Sequence, residues 1–226
     1  MRLGVLFSGG KDSCLALYKA MQEHKAVCLI SLVSENPESY MFHTPNIHIT
    51  KLQSGAIGIP IVMLKTKGQK EEELIDLKKA IAKAKKEYKI EGIVSGAVRS
   101  VYQASRIEKI CKDLELWCFN PLWLINQGEL LKEVLKNKFK TIISGVFAYP
   151  FDKSYLGKII NRKMVNNLIE LSEKYRINPA GEGGEIETTV LDAPFFKKKI
   201  KVTGSKKEYK DYSGNFIIKK AELVKK

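Results

Sequence analysis

At 226 residues, with 44% apolar and 28% charged residues, the chain has the length of one domain or two modest ones and a composition that excludes disordered and fibrous classes. Thirty-nine Lys and Arg against twenty-five Asp and Glu give a net charge of +14, concentrated between Lys65 and Lys89 and from Lys197 onward. The excess suits an acidic partner such as RNA, or a lysine-rich solvated surface, and the lack of aromatics among the basic runs favours the second, so nucleic acid is compatible but not required.

In chain order, Leu3–Phe7 reads as a short apolar strand, followed by a helix with Leu15, Leu17, Tyr18 and Met21 inward. Met1 and Arg2 lead straight into that strand, so no signal peptide is expected and the expected location is the cytoplasm. Ala26–Val33 is a second buried strand, far too short to cross a bilayer, and no membrane association is expected. A polar stretch from Ser34 to Asn46 leads to a short helix over Ile47–Gly55 and a third strand over Ile59–Leu64. Glu71–Tyr88 is an amphipathic helix with acids in its first turn and lysines later, as the helix dipole prefers. Gly92–Ser95 is a fourth strand and Val101–Leu114 another helix. Glu129–Asn137 reads as helix, Thr141–Ala148 as strand and Asn161–Arg176 as helix. After the glycines of 181–184, Ile186–Leu191, Lys199–Thr203 and Asn215–Ala221 are strand candidates, the last two an antiparallel pair across a polar, turn-rich segment.

Continuous apolar strands alternating with helices imply a parallel sheet covered on both faces. The expectation is an α/β nucleotide-binding domain over residues 1–124 and a smaller α+β domain over 125–226, with the boundary near Pro121–Gln127. The four cysteines Cys14, Cys28, Cys111 and Cys118 form no C-x-x-C pair and are expected as inert, buried thiols. Nothing in the sequence specifies an oligomeric state, and a homo-oligomer is compatible with it.

Ser8-Gly9-Gly10-Lys11-Asp12-Ser13 follows the first strand and opens the first helix. Two glycines let the backbone turn sharply and approach a ligand, and free amides at a helix start attract phosphate. Lys11 adds a full positive charge, Ser8 and Ser13 add hydroxyls, and Asp12 either complements the helix N-terminus or helps to hold Mg²⁺. A Walker A loop is excluded, because Val5 stands where its first glycine belongs and Asp12 where Ser or Thr belongs.

In this setting the loop resembles that of the ATP pyrophosphatase superfamily, and the resemblance implies a five-stranded parallel, Rossmann-like sheet of the adenine nucleotide alpha hydrolase type. Three further stretches carry the likeness: Ser39–Asn46; Ser95-Gly96-Ala97 with Tyr102-Gln103, Arg106-Ile107-Glu108 and Pro121-Leu122-Trp123; and Gly181–Thr188 leading to Asp192-Ala193-Pro194-Phe195. Together they resemble the diphthine–ammonia ligase family from Arg2 to Phe196. The resemblance implies amidation of diphthine on translation elongation factor 2 with ammonium, ATP giving AMP and pyrophosphate with Mg²⁺, and contacts to ATP from Ser8 to Ser13, His43, Ser95 and Gly96. One departure is Val101, where relatives carry aspartate before Tyr-Gln.

Bland readings stand beside these. His43 is equally a loop histidine, Arg106 and Glu108 a solvated helix face, and Trp123 core. Four acids, Glu182, Glu185, Glu187 and Asp192, stand out in so basic a chain. Glu182 and Glu185 flank two glycines and are the candidates for catalytic acids on the acceptor side, facing Lys11 across a cleft. Acids or aromatics such as Tyr40, Phe42 or Phe195 suit the trimethylammonium group of diphthine. A tRNA-modifying relative and a nucleotide-sensing module that does not turn ATP over remain alternatives. A glutaminase is disfavoured, because Arg2 and not cysteine follows Met1.

Overall fold

The computed structural model describes residues 1–36, 45–69 and 71–226. Its first sheet consists of β1 (Arg2–Leu6), β2 (Lys25–Ser34), β3 (Ile61–Thr66), β4 (Gly92–Val94) and β5 (Trp117–Phe119). All five strands are parallel, in the order β3-β2-β1-β4-β5. The fifth strand carries no sequence signal: it is three residues long and Trp117 is exposed. It forms because β4 offers an open edge, Val94 pairing with Phe119.

The helices follow from periodicity and capping. After β1 comes α1 (Lys11–Ala20), which buries Cys14, Leu15, Ala16 and Leu17; Met21 lies one residue past its end and is exposed, correcting its expected inward place. A 3-10 turn, Ile47–Ile49, leads into α2 (Thr50–Ile57), which ends on Gly58 with positive φ. α3 (Glu72–Tyr88) has Glu72 and Glu73 in its first turn and Lys85 and Lys86 in its last. Ser100 caps α4 (Val101–Asp113), and Asn126 caps α5 (Gln127–Lys136), in each case by accepting a backbone N–H. No helix among the described residues is long and apolar enough to cross a membrane.

A second, antiparallel sheet runs β7-β6-β9-β8, from β6 (Lys140–Val146), β7 (Ile186–Asp192), β8 (Lys199–Lys210) and β9 (Ser213–Val224). α6 (Arg162–Tyr175), capped by Asn161, precedes β7. The last two strands are far longer than their apolar centres suggest. They continue as a hairpin to a two-residue turn at Asp211 and Tyr212, both with positive φ, which suits the twist of a hairpin.

One apolar cluster, including Leu77, Ile81, Ile93 and Ile107, seals α3 and α4 against one face of the first sheet. A larger one runs from Leu3, Leu15 and Leu17 through Leu130 and Phe139 to Ile143, Val190 and Ile218. The portions before and after residue 124 therefore share a core, which holds the second sheet against α1 and positions the site.

Candidate active site

β1 and β4 are neighbours whose connections leave in opposite directions, so their carboxyl ends open a crevice at the switch point of the sheet. Both walls of that crevice are glycine turns. Gly9 has φ +80°, and a Cβ there would strike the Gln53 amide. A Cβ on Gly10 would stand 3.2 Å from the Thr188 carbonyl oxygen. The turn at Gly9 requires glycine, and a side chain at Gly10 would crowd Thr188. Gly10 is the N-cap of α1 and gives it no side-chain bond, which leaves the positive end of the helix open to an anion.

The loop is also held from behind. Lys11 N donates to Thr188 Oγ1 at 3.0 Å, and the Gly9 carbonyl accepts from Val190 N at 3.0 Å, so the loop lies along the free edge of β7. Gln53, fully buried on α2, donates through Nε2 to the Gly9 carbonyl at 2.9 Å and the Val190 carbonyl at 2.8 Å. Nothing in its sequence context marks Gln53; its role arises from where α2 packs. The Ser8 and Ser13 hydroxyls lie 3.2 Å apart, and Ser13 Oγ donates to the Gly10 carbonyl.

On the opposite wall, Ser95 N bonds the Phe119 carbonyl and Ser95 Oγ accepts from Ala97 N. A Cβ on Gly96 would stand 2.9 Å from Ser13 N, so this loop rests directly on the first turn of α1. Ser95 and Gly96 thus meet Ser8–Ser13, as the sequence reading expects.

Lys11 is buried, its side chain 3% exposed, and its Nζ lies 2.9 Å from Asp12 Oδ2. Asp12 Oδ1 is buried and makes no hydrogen bond. No cluster of three or more His, Cys, Asp or Glu among the described residues could hold a metal by itself. The free Asp12 oxygen fits Mg²⁺ in its usual manner with nucleotides, one or two carboxylates completing a shell of phosphate and water oxygens.

The four acids of 182–192 take four separate places. Glu182 Oε1 accepts from Arg99 N at 2.9 Å and Ser100 N at 3.0 Å, tying the second glycine loop to the start of α4. Burial raises its carboxyl above the ordinary range, the two amides opposing that shift and Asp12 adding to it. Glu185 braces its own loop, accepting from Asn178 N and Nδ2 at 2.8 Å and from Gly183 N at 2.9 Å. Asp192, at the far end of β7, pairs with Lys226 at 2.8 Å.

Glu182 and Glu187 both share an electrostatic environment with the loop, the Lys11 charge lowering and the Asp12 charge raising each carboxyl, and Glu187 is the more strongly raised. Burial pushes it up to about 7, against the pull of the Lys11 charge and with the push of Asp12. Glu182 and Glu185, the expected acceptor-side acids, are both held by backbone amides and not left free by their glycine neighbours.

Other expectations shift. Phe195 is half-buried and packs against the core with Tyr18 and Phe139, ring centroids 6.0 Å away in each case. Trp123 is exposed, not core. Arg106 stacks on Tyr102 at 3.4 Å and pairs with Glu71 at 2.6 Å, which makes it a clamp between α4 and the start of α3. Val101 is exposed at the first position of α4. Tyr40, Phe42 and His43 lie outside the described residues. All four cysteines are free; three are buried and Cys118 is half-buried.

Comparison with known proteins matches residues 1–117 to a family model described as the diphthamide synthase N-terminal domain, and residues 126–224 to the diphthamide synthase C-terminal domain. A diphthine–ammonia ligase of Mus musculus is 37% identical over 225 residues, covering 91% of this chain and 84% of the mouse protein. The protein of that name from Homo sapiens is 37% identical over 228 residues with the same coverage. The one from Schizosaccharomyces pombe is 32% identical over 220 residues, which are 90% of this chain and 36% of the yeast protein. Among solved structures, a predicted subunit of tRNA methyltransferase from Methanocaldococcus jannaschii aligns with a TM-score of 0.44 at 16% identity, over 86% of this chain and 98% of that one.

Proposed function

The chain belongs to the diphthamide synthase family, and from that premise we propose that it is a cytoplasmic, ATP-dependent diphthine–ammonia ligase acting on elongation factor 2. The observation that carries this reading is the glycine loop Ser8–Ser13 at the switch point, with a buried lysine on one side and Glu187 within electrostatic reach. Such a site can bind a triphosphate and present a second reactant to it.

The diphthine carboxylate attacks the α-phosphorus of ATP, the bond to the β-phosphate oxygen breaks, and pyrophosphate leaves with its electron pair. Ammonia then attacks the acyl carbon of the acyl-adenylate, AMP departs, and the proton shed by nitrogen must be taken up. The Lys11 ammonium and the amides of the first turn of α1 beyond Lys11 N, which Thr188 holds, meet the charge that grows on the phosphate oxygens, and they are already in place before it grows. Gln53 and Thr188 keep the loop from moving during that step. Asp12 would hold Mg²⁺ through Oδ1, and the ion would supply further charge neutralisation at the phosphates. Glu182 sets the distance between the acceptor-side loop and α4, Glu185 keeps that loop in shape, and Glu187 faces the reacting groups as the acceptor-side acid.

The test is incubation with ATP, ammonium and elongation factor 2 bearing diphthine, read by intact mass and by nucleotide analysis. The expected result is the small mass decrease of an acid becoming an amide, with one AMP per amide. ADP in place of AMP, or no amide, overturns the reading. Free ammonium is the expected nitrogen donor, and rapid amidation with glutamine alone in an ammonium-free assay would contradict that. The net charge of +14 is compatible with tRNA as a second ligand class, and tight, strongly salt-dependent tRNA binding without amidation would support that alternative.

A further inference from the structure

We propose that the diphthine-bearing protein docks on two hydrophobic patches, one of Val101, Trp123 and Leu124 and one of Tyr149, Tyr175 and Tyr212, which bracket the loop of residues 181–185; this rests on the function proposed above. Ten large hydrophobic side chains are exposed among the described residues, and five of them belong to these two patches, so the exposure is concentrated and not scattered singly. The first patch stands at the carboxyl edge of the parallel sheet, where the segments following β4 and β5 emerge at the same edge as the Ser8–Ser13 loop. Leu124 N donates to the Val98 carbonyl at 2.8 Å, which sets residues 123 and 124 beside the segment leading to Val101. That segment holds one end of the 181–185 loop, Arg99 N and Ser100 N donating to Glu182. The other end of the loop leads to the tyrosines. The Glu185 carbonyl accepts from Phe147 N at 2.9 Å, and Tyr149 lies two residues further on. Tyr149 meets Tyr175, at the end of α6, and Tyr212, in the turn between β8 and β9, edge to face with ring centroids 5.2 and 5.1 Å away.

The backbone marks the same two places independently. Of the nine non-glycine residues with positive φ among the described ones, seven are Asn, Asp, Glu, Lys or Arg. The two hydrophobic ones are Leu124 at 60° and Tyr212 at 61°, one in each patch. Glycine would suit both positions better, above all at 212, because Asp-Gly is a preferred pair for a two-residue hairpin turn. Leu124 is 63% exposed and Tyr212 48%, so packing in the core does not offset the left-handed backbone. An apolar side chain held in solvent at a conformational cost points to a role in binding. The partner is a protein: its reacting side chain has to enter the crevice while the body that carries it rests on the mouth. Contacts at both ends of one loop need such a body, wider than a small molecule. Tyrosine and Trp suit the centre of a protein interface, whereas the aliphatic Val101 and Leu124 offer RNA neither a charge nor a ring on which to stack.

The experiment compares the full-length wild type with Leu124→Gly and Tyr212→Gly on elongation factor 2 carrying diphthine. KM for the factor, KM for ATP, melting temperature and tRNA binding are measured together. Each substitution removes the apolar side chain and relieves the left-handed backbone, so a purely structural role would leave KM for the factor unmoved. The expected result is a rise of about tenfold in KM for the factor in each variant, with KM for ATP unchanged and a melting temperature equal to or above that of the wild type. Leu124→Asn and Tyr212→Asn, which also accept this backbone, replace any glycine variant that melts lower. An unchanged KM for the factor in either patch, or an equal rise in KM for ATP, overturns the docking surface alone. Weakened tRNA binding with an unchanged KM for the factor overturns it as well and assigns the patches to RNA. Absence of any amide with the wild type overturns the functional reading and the docking surface with it.

Discussion

Gly9 and Gly10 sit between a strand of five residues and a helix of ten, and the residues from Ser8 to Ser13 stay within about one helical turn of one another. Gly181, Gly183 and Gly184 sit in a loop of similar composition, yet the acids around them serve the start of α4, the loop itself, the crevice and the C-terminal lysine. In the first region, neighbours in the chain are neighbours in the site. In the second, an acid has whatever role its distant partner assigns, so composition there is a poor guide to chemistry. Substitutions in the two regions should differ accordingly.

The largest effect is expected in the first loop. Lys11→Ala removes a charge aimed at the transition state and should cost about 3 kcal/mol, roughly a hundredfold in AMP formation. Melting temperature and AMP release, measured on the same preparation, check this; near-normal turnover in a folded variant would place the charge elsewhere.

Glu187→Gln separates function from stability in the second region. Its carboxyl is raised from an ordinary 4.5 to about 7 in the fold. The stability it contributes is therefore fully present below about pH 4.5 and is lost as pH rises through 7, where the folded state must hold a buried charge. The glutamine variant should be more stable than the wild type by about 1 to 2 kcal/mol at pH 8, after allowance for partial exposure, and equal to it near pH 4.5. It should also form product poorly at every pH. Melting curves between pH 4.5 and 8 decide the matter, and parallel curves would mean that Glu187 is not held in this environment.

Glu182→Ala strips an acceptor from the Arg99 and Ser100 amides and should lower stability by about 1 to 3 kcal/mol, with Glu185→Ala similar. Both should also weaken amidation by loosening the loop, while calorimetry shows ATP affinity nearly unchanged. Collapse of ATP affinity would put these acids against the nucleotide. The smallest effect on activity belongs to Asp192→Asn: its pair with Lys226 is partly buried and lies at the far end of β7, so stability should fall by about 1 to 3 kcal/mol and activity should not change.

The glycine loop is legible in the chain alone. Turn, amides and charge lie within six consecutive residues behind an apolar strand, so local sterics and the helix dipole suffice to read them. The alternation of strands and helices and most helix limits are legible there too, because apolar periodicity and caps are local. The remaining features arise from contacts between distant segments. β5 exists because β4 leaves an edge to fill, although its own three residues show no periodicity. The long hairpin is extended by cross-strand pairing through residues that are mostly polar. Gln53 became the fastening of the loop because α2 packs behind Gly9, and Glu187 comes under the charges of Lys11 and Asp12 because β7 runs past Lys11. These roles depend on partners far away in the chain, and a carboxylate or an amide acquires its function from the charges and bonds that folding brings to it.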